Sequence, residues 1–165
     1  MSHIPILAAA AALLAVPGPL AAQPRHAPAA SGEVVPEAAR GAAAAVDAFH
    51  AALRRGDARA ALGFVAEEAV VFEEGRAERS KAEYAARHAT ADAAFSKAVS
   101  SVRSRRTGHA AADLAWIASE SRSKGSFNGR PVDRIMVESM VLRRDKSGAW
   151  KIVHIHWSSA EPSTE

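Results

Sequence analysis

Two histidines, His154 and His156, stand one residue apart in the run WKIVHIHWSS, among valine, isoleucine and tryptophan. The run alternates as a β-strand would, so residues two apart share a face. Trp150, Ile152, His154 and His156 then fall on one side, and Lys151, Val153, Ile155 and Trp157 on the other. Both sides are largely apolar, which suits a strand covered on both faces, and alternation alone leaves open which side is interior. At the rise of a strand the two imidazoles lie roughly 7 Å apart and can enter one cavity. In the preceding run, RIMVESMVLRR, the residues Met136, Glu138, Met140 and Leu142 share a face, so Glu138 is a carboxylate among apolar neighbours. Such a group needs a partner or its proton. If DKSG turns one run into the next, Glu138 falls near His154 or His156, and a Glu–His contact settles both groups.

Other groups can join this cluster. His88 lies one turn after Tyr84, and Glu73 ends a short apolar run. Trp116 and Glu120 share a face of another run, and Met136 and Trp150 flank the central groups. His88, Glu138, His154 and His156 are the candidate catalytic residues; Glu73, Tyr84, Trp116, Glu120, Met136 and Trp150 are candidate ligand contacts. Three readings stay open. The cluster can be polar core groups satisfying one another. It can line a small-molecule pocket in which a His or Glu acts as general base. Two histidines with a carboxylate can also ligate zinc or iron, although His-x-His alone is a weak signal and no metal is assigned. His50, on an apolar helical stripe, reads as a core histidine; His26 and His109 read as solvated, and Asp92 faces either pocket or solvent. Ser139, Ser158 and Ser159 lack a G-x-S-x-G elbow, and no glycine-rich phosphate loop is present. The chain has no cysteine, which excludes a thiol nucleophile, a thiolate metal site and a disulfide framework.

These groups have to be placed by secondary structure. Val46, Phe49, His50 and Leu53 recur at helical spacing from about Arg40, and Gly56 ends that helix. Asp57 can cap a second helix over ARAALGFVAEE, with Ala61, Leu62 and Val65 inward. AVVFEEG reads as a strand stopped by Gly75. Ser80 with Glu83 is a capping-box pattern that opens a third helix, in which Tyr84, His88, Ala91 and Phe95 share a face. Four strands follow: KAVSSVRSRR, AADLAWIASESRSKG, VDRIMVESMVLRR and AWKIVHIHWSS, with an Asn-Gly hairpin in FNGR. The order gives an α+β fold, three helices on one face of a curved antiparallel sheet.

The opening AAVDAFHAALRRGDARAALGFVAEEAVVFEEG and the ending VLRRDKSGAWKIVHIHWSS resemble the nuclear transport factor 2-like superfamily over Ala42 to Ser159. That superfamily includes ketosteroid isomerases, SnoaL-like polyketide cyclases and the calmodulin-dependent kinase association domain; the likeness is closest to its exported bacterial branch. The resemblance implies a cone-shaped sheet wrapped around the helices, a pocket at one end, and often a homodimer through the outer sheet face. It implies an Asp or His base in the enzymatic members. In ketosteroid isomerases that base is an Asp on a strand, and no acidic residue here matches it. Fold likeness does not transfer chemistry.

The first 22 residues carry no Lys, Arg, Asp or Glu and end in small residues, the pattern of a signal peptide cleaved after Ala22. The expected organisation is a signal peptide at 1–22, a flexible linker at 23–39, the domain at 40–159 and a disordered tail at 160–165. A periplasmic or secreted protein follows, with no membrane attachment after cleavage. Lys and Arg total 21 against 18 Asp and Glu, a net charge of +3. The densest basic run, VRSRRTG, alternates, so Arg103 and Arg105 would share one solvated face; nucleic-acid binding is not indicated. The expected role is the binding of a small apolar or amphipathic molecule without a cofactor. The enzymatic alternative is an isomerase, cyclase or dehydratase working by acid–base chemistry, and the third is an accessory or oligomerisation domain.

Overall fold

The structure, a computed structural model, describes residues 32–163. The expected signal peptide and the start of the expected linker lie outside the described residues. The elements run β1 (Gly32–Val34), a 3-10 turn (Glu37–Ala39), α1 (Arg40–Arg54), α2 (Ala58–Leu62), β2 (Val65–Glu73), β3 (Arg76–Glu78), α3 (Lys81–Arg87), α4 (Ala89–Ala98), β4 (Val99–Ala111), β5 (Leu114–Phe127), β6 (Arg130–Arg144) and β7 (Trp150–Ala160). Seven strands form one sheet in the order β1-β4-β5-β6-β7-β2-β3. The four long strands pair antiparallel, as expected, but β1 joins β4 and β2 joins β7 in parallel, so the sheet is mixed. The sheet is curved and unclosed, and the helices cover its concave face.

Local chemistry explains the main elements. Val46, Phe49 and Leu53 of α1 are buried as its periodicity requires, and Ala42, Ala43 and Ala52 let the helix lie close to the sheet. Gly41 sits against Trp150: a Cβ there would come within 2.9 Å of the indole nitrogen. The Asp57 carboxylate accepts from the Ala60 amide at 2.9 Å and caps α2. Ser80 Oγ accepts from the Glu83 amide at 3.1 Å, and the Glu83 carboxylate reaches back to the Arg79 amide, one residue outside the expected box. Asn128 and Gly129 both take positive φ, 51° and 76°, the geometry of an Asn-Gly hairpin. Asp145 Oδ1 accepts from the Ser147 and Ala149 amides and ties the turn into β7.

Four expectations change. Residues 32–39 carry a strand and a 3-10 turn, because Glu33 and its neighbours find a free edge on β4. The second helix stops at Leu62; Val65 instead opens β2, where it pairs with Ile152 and where the Phe64 carbonyl accepts from the Ile152 amide at 2.8 Å. Glu74 and Gly75, both at positive φ, turn β2 back into the short strand β3, which places Glu78 in the interior. The third helix is two helices, broken at His88 with φ −121° and ψ −34°. There Nδ1 of His88 is held by the buried Glu78 carboxylate, a tertiary contact that overrides helix continuity.

Candidate functional site

Between the helices and the concave face lies a cavity of about 220 Å³, somewhat larger than the ~150 Å³ that holds a benzene ring. Its floor follows one row across the sheet. Glu73 on β2 is paired with Trp157 on β7, Trp157 with Glu138 on β6, Glu138 with Ser119 on β5, and Ser119 with Arg106 on β4. All five residues line the cavity. A second row runs Met136, Ser121, Arg103 on β6, β5 and β4. Leu53, Phe95 and Val99 supply apolar wall.

Glu138 is the centre of this arrangement. Its Oε2 accepts from His50 Nε2 at 2.7 Å and from the indole N–H of Trp157 at 2.7 Å. Its side chain is 9% exposed, and Oε1 is buried with no partner among the described residues. Burial pushes the carboxyl up, but the His50 charge, the two hydrogen bonds and Arg106 outweigh that and hold it below the usual carboxylate range. An ionised carboxylate only accepts, so Nε2 of His50 carries the proton and Nδ1 keeps a lone pair when the ring is neutral. Phe49, stacked on Trp157 at 6.2 Å, fixes the neighbouring position on α1.

Carboxyls gather at the β2 end. Burial, with Asp92 next, pushes Glu73 up to about 7. Burial also raises Asp92, against the hydrogen bond that Tyr84 donates to its Oδ2 at 2.8 Å. Burial, then Asp92, pushes the Tyr84 phenol upward. At the other end Arg106 is 2% exposed, with NH1 on Asp47 at 2.8 Å and Nε on Ser119 Oγ at 3.3 Å. Arg103 shares Asp47 at 3.0 Å and reaches Glu33 at 3.3 Å.

The expected residues divide. Glu138, Glu73 and Met136 line the cavity, and Tyr84 touches it through Asp92. His154 and His156 do not meet Glu138. A bulge at Val153 breaks the alternation: Leu142 pairs with Ile152, but Val141 pairs with His154. Trp150, Ile152, Ile155 and Trp157 are therefore interior, while His154 and His156 turn to the outer face against Phe72, with ring centroids 5.2 and 6.3 Å away. His154 Nδ1 bonds to the Val70 carbonyl at 3.0 Å. Trp116 and Glu120 also sit on the outer face, opposite Ile117 and Ser119 in strand parity. Trp150 is core, beneath Gly41 and the Arg144 guanidinium at 4.7 Å. His88 serves Glu78 and Arg76 outside the cavity lining. A second bulge, at Ser104, separates Arg103 from Arg105 and turns Arg103 and Arg106 inward, so Arg103 does not sit on the expected solvated face.

From sequence alone His50 reads as a core histidine and Arg103 as solvated, and Arg106 and the β5 serines carry no assigned role. Ser119, Ser121 and Ser123 alternate in SESRS, which is a readable hydroxyl face; the arginines needed the bulge to be known. Among the described residues no group of three His, Cys, Asp or Glu is placed to hold a metal, and no helix is long and apolar enough to cross a membrane.

Residues 42–162 match the SnoaL-like domain. No curated protein matches the chain. A solved structure from Shewanella frigidimarina, provisionally named a ketosteroid isomerase, is 31% identical, with TM-score 0.71, over 77% of this chain and 100% of that one. A protein of the nuclear transport factor 2-like family from Streptomyces avermitilis, provisionally named a dehydratase, is 18% identical, with TM-score 0.64, over 74% and 96%. A Xanthomonas campestris protein, provisionally named a calcium/calmodulin-dependent protein kinase II association domain, is 21% identical, with TM-score 0.63, over 74% and 87%. The last two likenesses speak for the fold alone.

Proposed function

The chain belongs to the SnoaL-like family of the nuclear transport factor 2-like fold, and on that premise we propose that it binds a small amphipathic molecule in the cavity between its helices and sheet. One observation carries this reading: Glu138, buried and ionised, is held by His50 and Trp157 on the cavity floor with its second oxygen unpartnered. A buried polar atom without a partner costs about 1–3 kcal/mol, and a bound molecule that donates a hydrogen bond relieves that cost. Filling the cavity tests it. Ser121→Phe should abolish the thermal stabilisation produced by any small molecule that binds the wild type. Stabilisation that survives the substitution places binding elsewhere and sinks the reading.

The same dyad favours a second reading, proton transfer without a cofactor. Glu138 fixes the tautomer of His50 and leaves Nδ1 as the base, while Glu73 stays protonated up to about pH 7 and can return a proton. Isomerisation or dehydration beside a carbonyl needs that pair of roles. Wild-type protein incubated with carbonyl compounds in D2O should place deuterium at the adjacent carbon, and His50→Gln should stop it. Equal incorporation by both would exclude His50 as the base.

Export is part of the proposal and rests on Met1 to Ala22; a mature N-terminus at Gln23 in the envelope or medium would support it, and an uncleaved cytoplasmic chain would overturn it. A homodimer through the outer sheet face is proposed on the exposed Phe72, Trp116, Ile135 and Val137.

A further inference from the structure

The cavity is polarised along its floor. The row that begins at Glu73 ends at Arg106, four strand spacings or ~19 Å away. At the Arg106 end the hydrogen bonding is incomplete. A guanidinium offers five N–H donors. Among the described residues Arg106 has two acceptors, Asp47 and Ser119, so three N–H groups of an almost fully buried cation have none. Glu138 attracts Arg106 from two strands away, but the counter-charge in direct contact is short. Arg103 and Arg106 share the single carboxylate of Asp47, which is half-exposed, and Glu33 reaches only Arg103, at 3.3 Å. Beside them Ser121 and Ser123 line the cavity with hydroxyls that have no partner among the described residues. The buried side-chain atoms without a partner among the described residues are carboxylate oxygens of Glu78 and Glu138, so the remaining Arg106 nitrogen and the serine hydroxyls are open to the cavity, where a ligand can accept from them. A planar oxyanion supplies two acceptors in one plane, the geometry that a guanidinium matches. The walls next to this end, Phe95, Val99 and Met136, are apolar.

We propose that the molecule bound here is a small organic carboxylate, its acid group on Arg106, Arg103 and the β5 serines and its body reaching across to His50 and Glu138, where a hydroxyl at its far end donates to the free Glu138 oxygen. This rests on the reading of the cavity as a ligand site and names the class of ligand. From β4 to β6 is two strand spacings, ~10 Å, so a chain of two or three carbons between the acid group and the body of the molecule brings that body over Glu138. The cavity volume suits a molecule of about one ring and a short side chain.

The test is calorimetric titration of the whole protein with 3-(4-hydroxyphenyl)propanoate and with its uncharged isostere 3-(4-hydroxyphenyl)propanamide. The acid should bind at least tenfold more tightly than the amide. Arg103→Gln should reduce that ratio severalfold, and Ser121→Ala, which leaves the ion-pair network intact, should reduce it less. Equal affinity for acid and amide overturns the carboxylate assignment and leaves the cavity reading standing. Failure of both probes at millimolar concentration overturns both. An acid preference unchanged in Arg103→Gln and Ser121→Ala moves the anion site elsewhere and also overturns the assignment.

Discussion

Glu138 gathers two buried donors on one oxygen, and its loss strands both. Removing one partner from a buried hydrogen-bonded charge is costly because the groups left behind stay desolvated. Glu138→Ala should therefore lower unfolding free energy by about 3 kcal/mol, and Glu138→Gln, which keeps an acceptor but not the charge, by about half of that. Urea unfolding at pH 7 measures both; a loss under ~0.5 kcal/mol for the alanine variant would mean the triad contributes little to the fold. Glu73 acts in the opposite sense. Burial, and then Asp92, raises its folded value to about 7 from an ordinary 4.5. The folded state therefore holds that proton more tightly than the unfolded state does. Its contribution to stability is full below about 4.5 and is lost as pH rises through about 7. Because Glu73 is only partly buried, solvent screening limits the effect to roughly 1–2 kcal/mol. Melting curves at pH 4 and pH 8 should show Glu73→Gln matching the wild type at the lower pH and exceeding it at the higher one. A parallel pH dependence in the two proteins would mean that Glu73 titrates normally.

At the scale of elements, unbroken periodicity carried the reading and interruptions defeated it. The face Met136, Glu138, Met140, Leu142 was legible because β6 keeps its parity along that stretch, and the caps at Asp57 and Ser80 were legible because capping is local chemistry. The face of His154 and His156 was not, because one extra residue at Val153 moves every later side chain of β7 to the other side. The bulge at Ser104 in the same way sets Arg103 and Arg105, expected on one face, on opposite faces. Nothing in the local sequence marks either bulge: no glycine stands at them, and they answer to the curvature of a sheet that closes over the helices. His88 breaks its helix for a partner, Glu78, that lies on a strand too short to be read. His50 could have been found only by knowing that α1 crosses over β6. The curvature also predicts where the sheet cannot tolerate bulk. A Cβ on Gly108 would lie 2.7 Å from the Ile117 Cδ1 and 3.0 Å from the Trp116 carbonyl oxygen, so the neighbouring strand, and not merely a flexible tip, would have to move. Gly108→Ala should cost about 1–3 kcal/mol by overpacking. Thermal unfolding checks this, and an unchanged melting temperature would mean that β4 and β5 separate there without penalty.

For the whole molecule, the two faces of the sheet divide the work. The concave face holds the cavity. The convex face carries exposed apolar groups, Trp116 on β5, Ile135 and Val137 on β6 and Phe72 on β2, with His154 and His156 of β7 between the last two strands. Trp116 is 44% exposed, in the row that pairs it with Val141, and Val137 is 46% exposed, two same-face positions further along β6 beside Glu120. Single exposed apolar residues are ordinary; several on one sheet face are the feature on which the proposed pairing rests. A second copy is the simplest occupant, since a two-fold axis would set this face of one sheet against that of the other. It would also give the two histidines of the final strand a role as packing groups around Phe72, distinct from the chemistry of the cavity. Ile155, placed by unbroken alternation on the face opposite His154, is fully buried, and a charge there would unfold the domain rather than report on association. Val137→Asp places the charge on the convex face itself and leaves the interior alone. Sedimentation equilibrium should show the wild type at twice the chain mass and Val137→Asp at the chain mass, with unchanged circular dichroism. Ligand affinity should survive Val137→Asp, because Val137 alternates with the cavity-lining Met136 and Glu138 and faces the other side of the sheet. A wild type that sediments as a monomer at all concentrations would remove the second copy as occupant, and a dimer that persists in Val137→Asp would place its interface on another surface.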